Sequence, residues 1–135
     1  MKLKGDNMCF ACGKDNPISL GLEFSLYENN KVEAEFIPAP EHQGYDNIMH
    51  GGLISTLLDE AMAKVLYLQG IRAVTAEIKV RFKGAVFIGE RLNIYGELIK
   101  RHKKLLFTRA FLYNDKGEKL AESEAKFIEV QGGDN

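Results

Sequence analysis

The chain has 135 residues, of which 45% are hydrophobic and 27% are charged, and its formal net charge at pH 7 is -1. This length predicts a single domain over residues 1–135 with one core, and residues 1–19 are expected to form an N-terminal arm. The balanced charge gives no reason to expect a nucleic acid partner. No apolar run reaches the roughly 18 uncharged residues of a membrane-spanning helix, and the opening MKLKGDN lacks the apolar core of a signal peptide. We therefore expect a cytoplasmic protein without a membrane partner.

The chain opens on a pair of cysteines, Cys9 and Cys12, in the segment MCFACG. A structural zinc site needs about four nitrogen or sulfur ligands, and a redox Cys-x-x-Cys needs a βαβ unit behind it; the sequence predicts neither. The favoured interpretation is a pair of reduced cysteines in a turn that packs under the domain. A zinc ion shared between two chains and a redox role are the alternatives. No metal and no cofactor is predicted.

A β-hairpin is predicted next. Apolar residues alternate with more polar ones over residues 20–26 and again over residues 32–36, and the Glu-Asn-Asn-Lys segment between them is typical of a turn. Residues 38–49 carry two prolines and a glycine. They are expected to form an irregular loop that leads into the following element.

One long hydrophobic helix is predicted within residues 47–69, ending near Gly70. Its apolar positions cover too broad an arc for a surface stripe, which is typical of a helix buried almost all round. These positions are Leu53, Ile54, Leu57, Leu58, Ala61, Met62, Val65, Leu66 and Leu68.

Four strands are predicted after the helix. Alternation is strict over residues 73–82, with apolar residues at the even positions and polar residues at the odd positions from 75 onward, so this strand is expected to be half-buried. Residues 92–98, 105–113 and 120–130 form the remaining strands. The order β-β-α-β-β-β-β predicts an α+β fold, a curled antiparallel six-stranded sheet wrapped around a long central helix. The uncovered face or edge of such a sheet favours oligomers.

Two features of the helix carry chemistry. Gly51 and Gly52 occupy its first turn, although glycine costs about 1 kcal/mol relative to alanine inside a helix. Asp59 lies in its apolar middle, where an uncompensated carboxylate is not tolerated. Glycines at a helix start let an oxygen with negative charge approach the unpaired N–H groups there. Gly52 and Asp59 share a face but lie about 10 Å apart along the axis, so two copies of the chain must contribute if both act on one bond.

The stretch HGGLISTLLDEAM, in which His50, Gly51 and Gly52 precede Asp59, resembles the hotdog-fold acyl-CoA thioesterases of the PaaI-like group from the phenylacetate pathway. The order of elements agrees over nearly the whole chain. The opening CFACGKDNPISLGL is similar to the N-terminal arm of one branch of that group. The resemblance implies a hotdog fold and hydrolysis of a coenzyme A thioester to a free acid and a thiol. It also implies a homo-oligomer, a dimer or a dimer of dimers (homotetramer), with active sites at the dimer interface.

The resemblance implies roles for individual residues. The Gly52 N–H would polarise the thioester carbonyl, and Asp59 of the other chain would act as general base or as nucleophile. Thr75 occupies the position of a Ser or Thr that helps to place the attacking water. His50 and Gly51 are expected to bind substrate at the helix entry.

Further substrate contacts are expected in the flanking segments. Some members of the group have a polar asparagine six residues before the histidine, where this chain has Gly44, so Gln43 and Asn47 are the candidates for that contact. Arg81 and Lys83 are the candidates for contacts with the phosphates of coenzyme A.

Other functions remain open. An acyl-CoA-binding protein that does not hydrolyse would keep the pocket but needs the base to be absent or blocked, and the presence of Asp59 argues against it. A related hotdog dehydratase needs a histidine and a carboxylate that act together, whereas no acidic group accompanies His50. Asp59 could also serve assembly alone.

Overall fold

A computed structural model describes residues 3–5 and 7–130; residues 1, 2 and 6 of the predicted arm and residues 131–135 lie outside this description. The helix α1 spans Gly51–Tyr67, after a short 3-10 turn at Pro40–His42. The strands are β1 (Ser25–Glu28), β2 (Lys31–Phe36), β3 (Ala73–Phe82), β4 (Leu92–His102), β5 (Leu105–Asn114) and β6 (Lys119–Glu129). The predicted order of elements is confirmed. None of the helices in the described ranges has the length and apolar character needed to cross a bilayer.

The six strands form one open antiparallel sheet in the order β1-β2-β4-β5-β6-β3. The helix packs on one face of this sheet, mainly against β4. Its buried residues face the sheet and form the centre of the core: Ile54, Leu57, Leu58, Ala61, Met62, Val65 and Leu66. The predicted α+β architecture is therefore confirmed.

The helix lies unusually close to β4 at one point. A Cβ added to Gly96 would lie 2.6 Å from the carbonyl oxygen of Ala61, a distance that no side chain tolerates. Glycine at this position lets the helix backbone contact the strand, which sets how closely α1 and its side chains approach the sheet.

The first strand is shorter than predicted. β1 begins at Ser25, and the alternating residues before it belong to no strand. Their backbone instead hydrogen-bonds to the cysteine segment, since the Leu20 and Leu22 N–H groups donate to the carbonyls of Phe10 and Ala11. The apolar alternation over residues 20–24 thus reflects packing of the N-terminal arm against the domain.

The bounds predicted for β3 are confirmed, but its predicted half-buried pattern is wrong. β3 lies at an edge of the sheet and is exposed over most of its length. Its pairing with β6 also slips between Thr75 and Glu77, which makes Ala76 the extra residue of a β-bulge.

The bulge reverses the face of the first residues of β3. Residues that pair across two strands point to the same side of a sheet. Thr75 pairs with the buried Phe127 and therefore faces α1, whereas Val74 pairs with the exposed Ile128 and faces away. Strict alternation would have placed Thr75 on the side away from the helix.

Candidate active site

Asp59 on α1 and Thr75 on β3 meet between helix and sheet. The Thr75 hydroxyl donates a hydrogen bond of 2.9 Å to Asp59 Oδ1. Burial raises the pKa of the Asp59 carboxyl above its ordinary value, and the hydrogen bond from Thr75, which favours the charged form, opposes this shift. A partly desolvated carboxylate with one oriented oxygen is typical of a general base or a nucleophile.

A hydrogen bond at the start of α1 occupies the amide predicted to bind the carbonyl, which sequence reasoning did not foresee. His50 is the N-cap residue, and its Nδ1 accepts a hydrogen bond of 2.9 Å from the Gly52 N–H. The Gly52 amide therefore reaches a substrate only after the His50 ring turns away. The Gly51 N–H, one of the donors that a helix start leaves unpaired, donates to no described residue. The signal in the sequence was His50, a side chain with a hydrogen-bond acceptor at the position directly before the helix.

A cavity of about 350 Å³ opens directly at this helix start. It is lined by Gly44, Tyr45, Ile48, Met49, His50 and Gly51. Two backbone hydrogen bonds hold its wall, from the Met49 N–H to Val86 at 2.8 Å and from the His50 N–H to His42 at 2.9 Å. A carbonyl bound in this cavity would lie next to the amides of the first helical turn.

The two polar residues predicted to bind substrate hold the loop together. Gln43 donates through Nε2 to the Pro40 carbonyl at 2.8 Å and accepts from the Asn47 N–H through Oε1. Both ends of the Gln43 amide are therefore engaged. Asn47 adopts a left-handed conformation with φ 64°, which asparagine tolerates better than most residues. Neither residue is among those that line the cavity.

Arg81 and Lys83, the residues predicted to meet phosphates, are grouped around one carboxylate. Their side chains lie 3.9 Å and 3.7 Å from Glu122 Oε2. A hydrogen bond from Lys119, together with the charges of Lys83 and Arg81, holds the pKa of Glu122 below its usual value. Three cations around one anion leave a positively charged patch. Phe82 lies between Arg81 and Lys83 in sequence and packs against the start of α1, whereas Arg81 pairs with Glu122 on the face of the sheet that points away from α1.

Within one chain the two halves of the predicted site remain apart. The residues that line the cavity at the helix start include neither Asp59 nor Thr75. The separation along the helix is about 10 Å, as the rise per residue requires. A single chain therefore does not bring the carboxylate to a carbonyl held at its own helix start.

Comparison with known proteins identifies the family. Residues 46–121 match the Thioesterase superfamily. Acyl-coenzyme A thioesterase THEM5 of Mus musculus is 31% identical over 116 residues, which are 82% of this chain and 46% of that protein. Acyl-coenzyme A thioesterase 13 of Homo sapiens is 30% identical over 92 residues, which are 67% of this chain and 66% of that protein. The chain thus spans about half the length of the first relative and about two thirds of the second.

Solved structures show the same fold. The PaaI protein of the E. coli phenylacetic acid degradation operon has a TM-score of 0.76 at 19% identity, over 81% of this chain and 83% of that one. A hypothetical thioesterase protein from Streptococcus pneumoniae TIGR4, solved with coenzyme A, has a TM-score of 0.76 at 18% identity, over 81% and 85%. These likenesses confirm the predicted hotdog fold. The segment matched by the family contains the helix start, Asp59 and Thr75, and the chain belongs to the thioesterase superfamily.

Proposed function

We propose that the protein hydrolyses the thioester of an acyl-CoA to a free acid and coenzyme A. The observation that carries the proposal is the Asp59–Thr75 pair, a partly buried carboxylate with a raised pKa and one oxygen held by a hydroxyl. Its setting in a thioesterase superfamily segment supports this chemistry. The names of the two curated relatives and the coenzyme A bound to the S. pneumoniae protein support the substrate class.

Asp59 performs the chemical step in one of two ways. As a general base it takes a proton from water while the water oxygen attacks the carbonyl carbon, after which the C–S bond breaks and the thiolate leaves. As a nucleophile it attacks the carbonyl carbon and expels the thiolate, and water then cleaves the resulting mixed anhydride to the free acid and the Asp59 carboxylate. Two further structures of the S. pneumoniae protein carry alanine in place of an aspartate and of a threonine sixteen positions apart. Asp59 and Thr75 have the same separation.

The start of α1 receives the carbonyl oxygen. Gly52 is the donor that the sequence predicts, and it reaches this role when the His50 ring turns away from its amide. Gly51 offers a second N–H in the same turn without that movement. Either amide would stabilise the negative charge that develops on the oxygen. Arg81 and Lys83 are proposed to meet the phosphates of coenzyme A, since both are exposed cations at the end of β3.

A second copy of the chain completes the site. β3 presents a long unpaired edge with exposed apolar side chains, Ile78 at 38% and Phe82 at 54% exposure. Antiparallel pairing of two β3 edges about a two-fold axis near Ile78 sets Thr75 of one chain opposite Phe82 of the other. Since Phe82 packs on Gly51, this pairing carries Asp59 of one chain to the helix start of the other.

The sheet face that α1 leaves open favours assembly beyond the dimer. A dimer of dimers would cover the sheet face that α1 leaves open. A cytoplasmic location is proposed on the balanced composition of the chain.

One observation favours a second function, a protein that binds acyl-CoA without hydrolysing it. The hydrogen bond from the Gly52 N–H to His50 occupies the predicted carbonyl donor. If the His50 ring stays on the Gly52 N–H and the Gly51 N–H cannot take the place of that donor, the substrate would bind in the cavity without polarisation of its carbonyl.

A panel of aryl, short-chain and medium-chain acyl-CoAs separates the two functions. Release of free thiol would be followed in the presence of protein, and binding of each acyl-CoA would be measured in parallel by calorimetry. Turnover of at least one thioester that disappears in Asp59→Asn supports the hydrolase. Saturable binding across the panel with no thiol release above the buffer rate would establish the binding protein instead.

A further inference from the structure

The N-terminal arm places two thiols beside the helix residue that follows Asp59. One ligand atom from each of Cys9, Cys12 and Glu60 lies within 4.8 Å of the other two. The Cys12 thiol hydrogen-bonds to Glu60 and to Cys9. Both cysteines are in the thiol form and partly buried. This cluster lies outside the site proposed for thioester hydrolysis.

A tight turn holds the two cysteines in this arrangement. The Gly13 N–H donates to the Cys9 carbonyl at 2.8 Å, so the chain closes on itself directly after Cys12. A Cβ at Gly13 would lie 2.4 Å from backbone atoms of Asn7 and Cys9, and only glycine fits there. The Asp15 N–H bonds to Asn7 at 2.9 Å and ties the outer end of the same turn. The two thiols are therefore presented together before any ligand binds.

The cluster opens on a cavity of about 600 Å³, and all three of its residues line that cavity. Arg72 lines the same cavity, and its Nη1 is buried without a hydrogen-bond partner among the described residues. A buried donor of this kind is costly unless an oxygen or an anion satisfies it. Lys64, which pairs with Glu60 at 3.7 Å, adds a second positive charge to the wall. An oxygen ligand in the cavity would accept a hydrogen bond from Arg72 Nη1 and would lie in a positively charged wall.

We propose that Cys9, Cys12 and Glu60 bind a zinc ion whose fourth ligand is a water molecule or small anion in this cavity. Two sulfur donors and one carboxylate are a donor set that zinc accepts, and the bound water or anion in the cavity would complete the four-coordinate tetrahedron without a fourth protein ligand. In such a tetrahedron the ligand atoms lie about 3.3 to 3.8 Å apart, so side-chain shifts of about 1 Å close the cluster. The zinc ion displaces the protons of the two thiols. The two thiolates and the carboxylate together outweigh the charge of the ion, and the net negative charge of the site faces Lys64 and Arg72.

The ion would fasten the arm to α1. The described arm packs on the core through Cys9 and Ala11, and its backbone hydrogen bonds join residues 7–22 to one another. A bond from each cysteine to an ion on Glu60 joins the arm to the helix turn that also carries Asp59. The role assigned to the ion is structural, and no step of thioester hydrolysis passes through it.

The test uses the full chain, reduced and freed of metal with a chelator. Co²⁺ serves as the spectroscopic probe, because thiolate ligands produce an intense near-ultraviolet charge-transfer absorption that oxygen ligands alone do not. Wild-type protein should develop this absorption with one equivalent of Co²⁺ and lose it when Zn²⁺ is added. Zn²⁺ should also raise the melting temperature, since a ligand that binds the folded state stabilises it. Absence of the absorption in reduced wild-type protein would overturn the proposal without any variant.

Variants assign the ligands. The double variant Cys9→Ser, Cys12→Ser should show neither the absorption nor the melting shift. Loss of a residue that only hydrogen-bonds to a metal ligand typically weakens metal affinity by roughly 10 to 100-fold. Glu60→Gln should weaken Zn²⁺ affinity by more than this, because it removes a ligand. Lys64→Gln is the matched control, because it removes the same ion pair and leaves all three donors in place, so it should still bind one Zn²⁺. Equal Zn²⁺ affinity in Glu60→Gln and Lys64→Gln would remove Glu60 from the site. Full Zn²⁺ binding by the double serine variant would refute the site altogether.

Discussion

Thr75 donates its hydroxyl hydrogen to Asp59 Oδ1 at 2.9 Å, and this bond exists because a β-bulge at Ala76 turns the first residues of β3. In a regular strand the Thr75 side chain would point away from α1. The bulge thus supplies Asp59 with its only described side-chain partner in the helix–sheet gap, and the remaining carboxylate oxygen is left for a proton or a carbonyl carbon. A local irregularity in an edge strand orients the group to which we assign the chemistry.

Replacement of Asp59 by asparagine should abolish turnover without loss of stability. The asparagine side chain keeps the size and the acceptor for Thr75 but cannot take a proton or attack a carbonyl, so kcat should fall by about 100-fold or more. Because the variant buries no charge, its melting temperature at neutral pH should equal or exceed that of the wild type. Steady-state kinetics and thermal melting test both parts. A folded variant that hydrolyses acyl-CoA near the wild-type rate would contradict the assignment.

The pH dependence of rate and of stability should have opposite signs. Burial raises the pKa of Asp59 in the folded chain above its unfolded value. Between these two values the folded state holds more protons, so this group's contribution to the free energy of unfolding falls as pH rises. Over the same interval kcat/KM should rise, since the base must be ionised. Asp59→Asn should lose this stability slope; a wild-type slope in that variant would assign the effect to another group.

Removal of the Thr75 hydroxyl should shift the pH profile. The hydrogen bond lowers the pKa of Asp59 against the effect of burial. In Thr75→Val the acidic limb of kcat/KM should therefore move to higher pH, and the plateau should fall because the carboxylate loses its orientation. Thr75→Ser keeps the hydroxyl and should restore both. If valine and serine variants gave the same profile as the wild type, Thr75 would have no positioning role.

The two helix-start glycines should respond differently to alanine. A Cβ at Gly52 would lie 3.1 Å from the Cε1 and Nδ1 atoms of His50, whereas a Cβ at Gly51 would lie 3.6 Å from the Phe82 ring. Gly52→Ala should therefore displace the His50 ring, crowd the amide and lower turnover toward the roughly 100-fold loss of a carbonyl donor. Gly51→Ala fits as the structure stands. A larger loss in Gly51→Ala than in Gly52→Ala would reassign the carbonyl to the Gly51 amide.

Mixing two inactive variants tests whether the site is shared between chains. If Asp59 of one chain works with the helix start of the other, a mixed dimer of Asp59→Asn and Gly52→Ala contains one intact site. Random reassociation of equal amounts should then recover about a quarter of wild-type activity, since about half of the dimers are mixed. Size measurement by light scattering should show a dimer or larger. Recovery of no activity from demonstrably mixed dimers, or an active monomer, would place the whole site within one chain.

Sequence patterns predicted the elements and the central residues because these depend on local order. A broad apolar arc is typical of a buried helix, and strict alternation is typical of a strand. The sequence therefore predicted α1 and the bounds of β3. Glycines at a helix start and a carboxylate in an apolar run are costly wherever they occur, so Gly51, Gly52 and Asp59 could be singled out without a structure. Their joint spacing along one helix also predicted that one chain cannot bring them together.

Only the tertiary structure decided which partners these residues meet. The register of β3 against β6 places the bulge that turns Thr75 toward Asp59, and alternation alone predicts the opposite face. The cap from His50 to Gly52 depends on how the preceding loop enters the helix. Glu60 joins the cysteines because the arm folds back over α1, a contact between residues nearly fifty positions apart. Such contacts depend on packing between elements, and no local pattern in the chain records them.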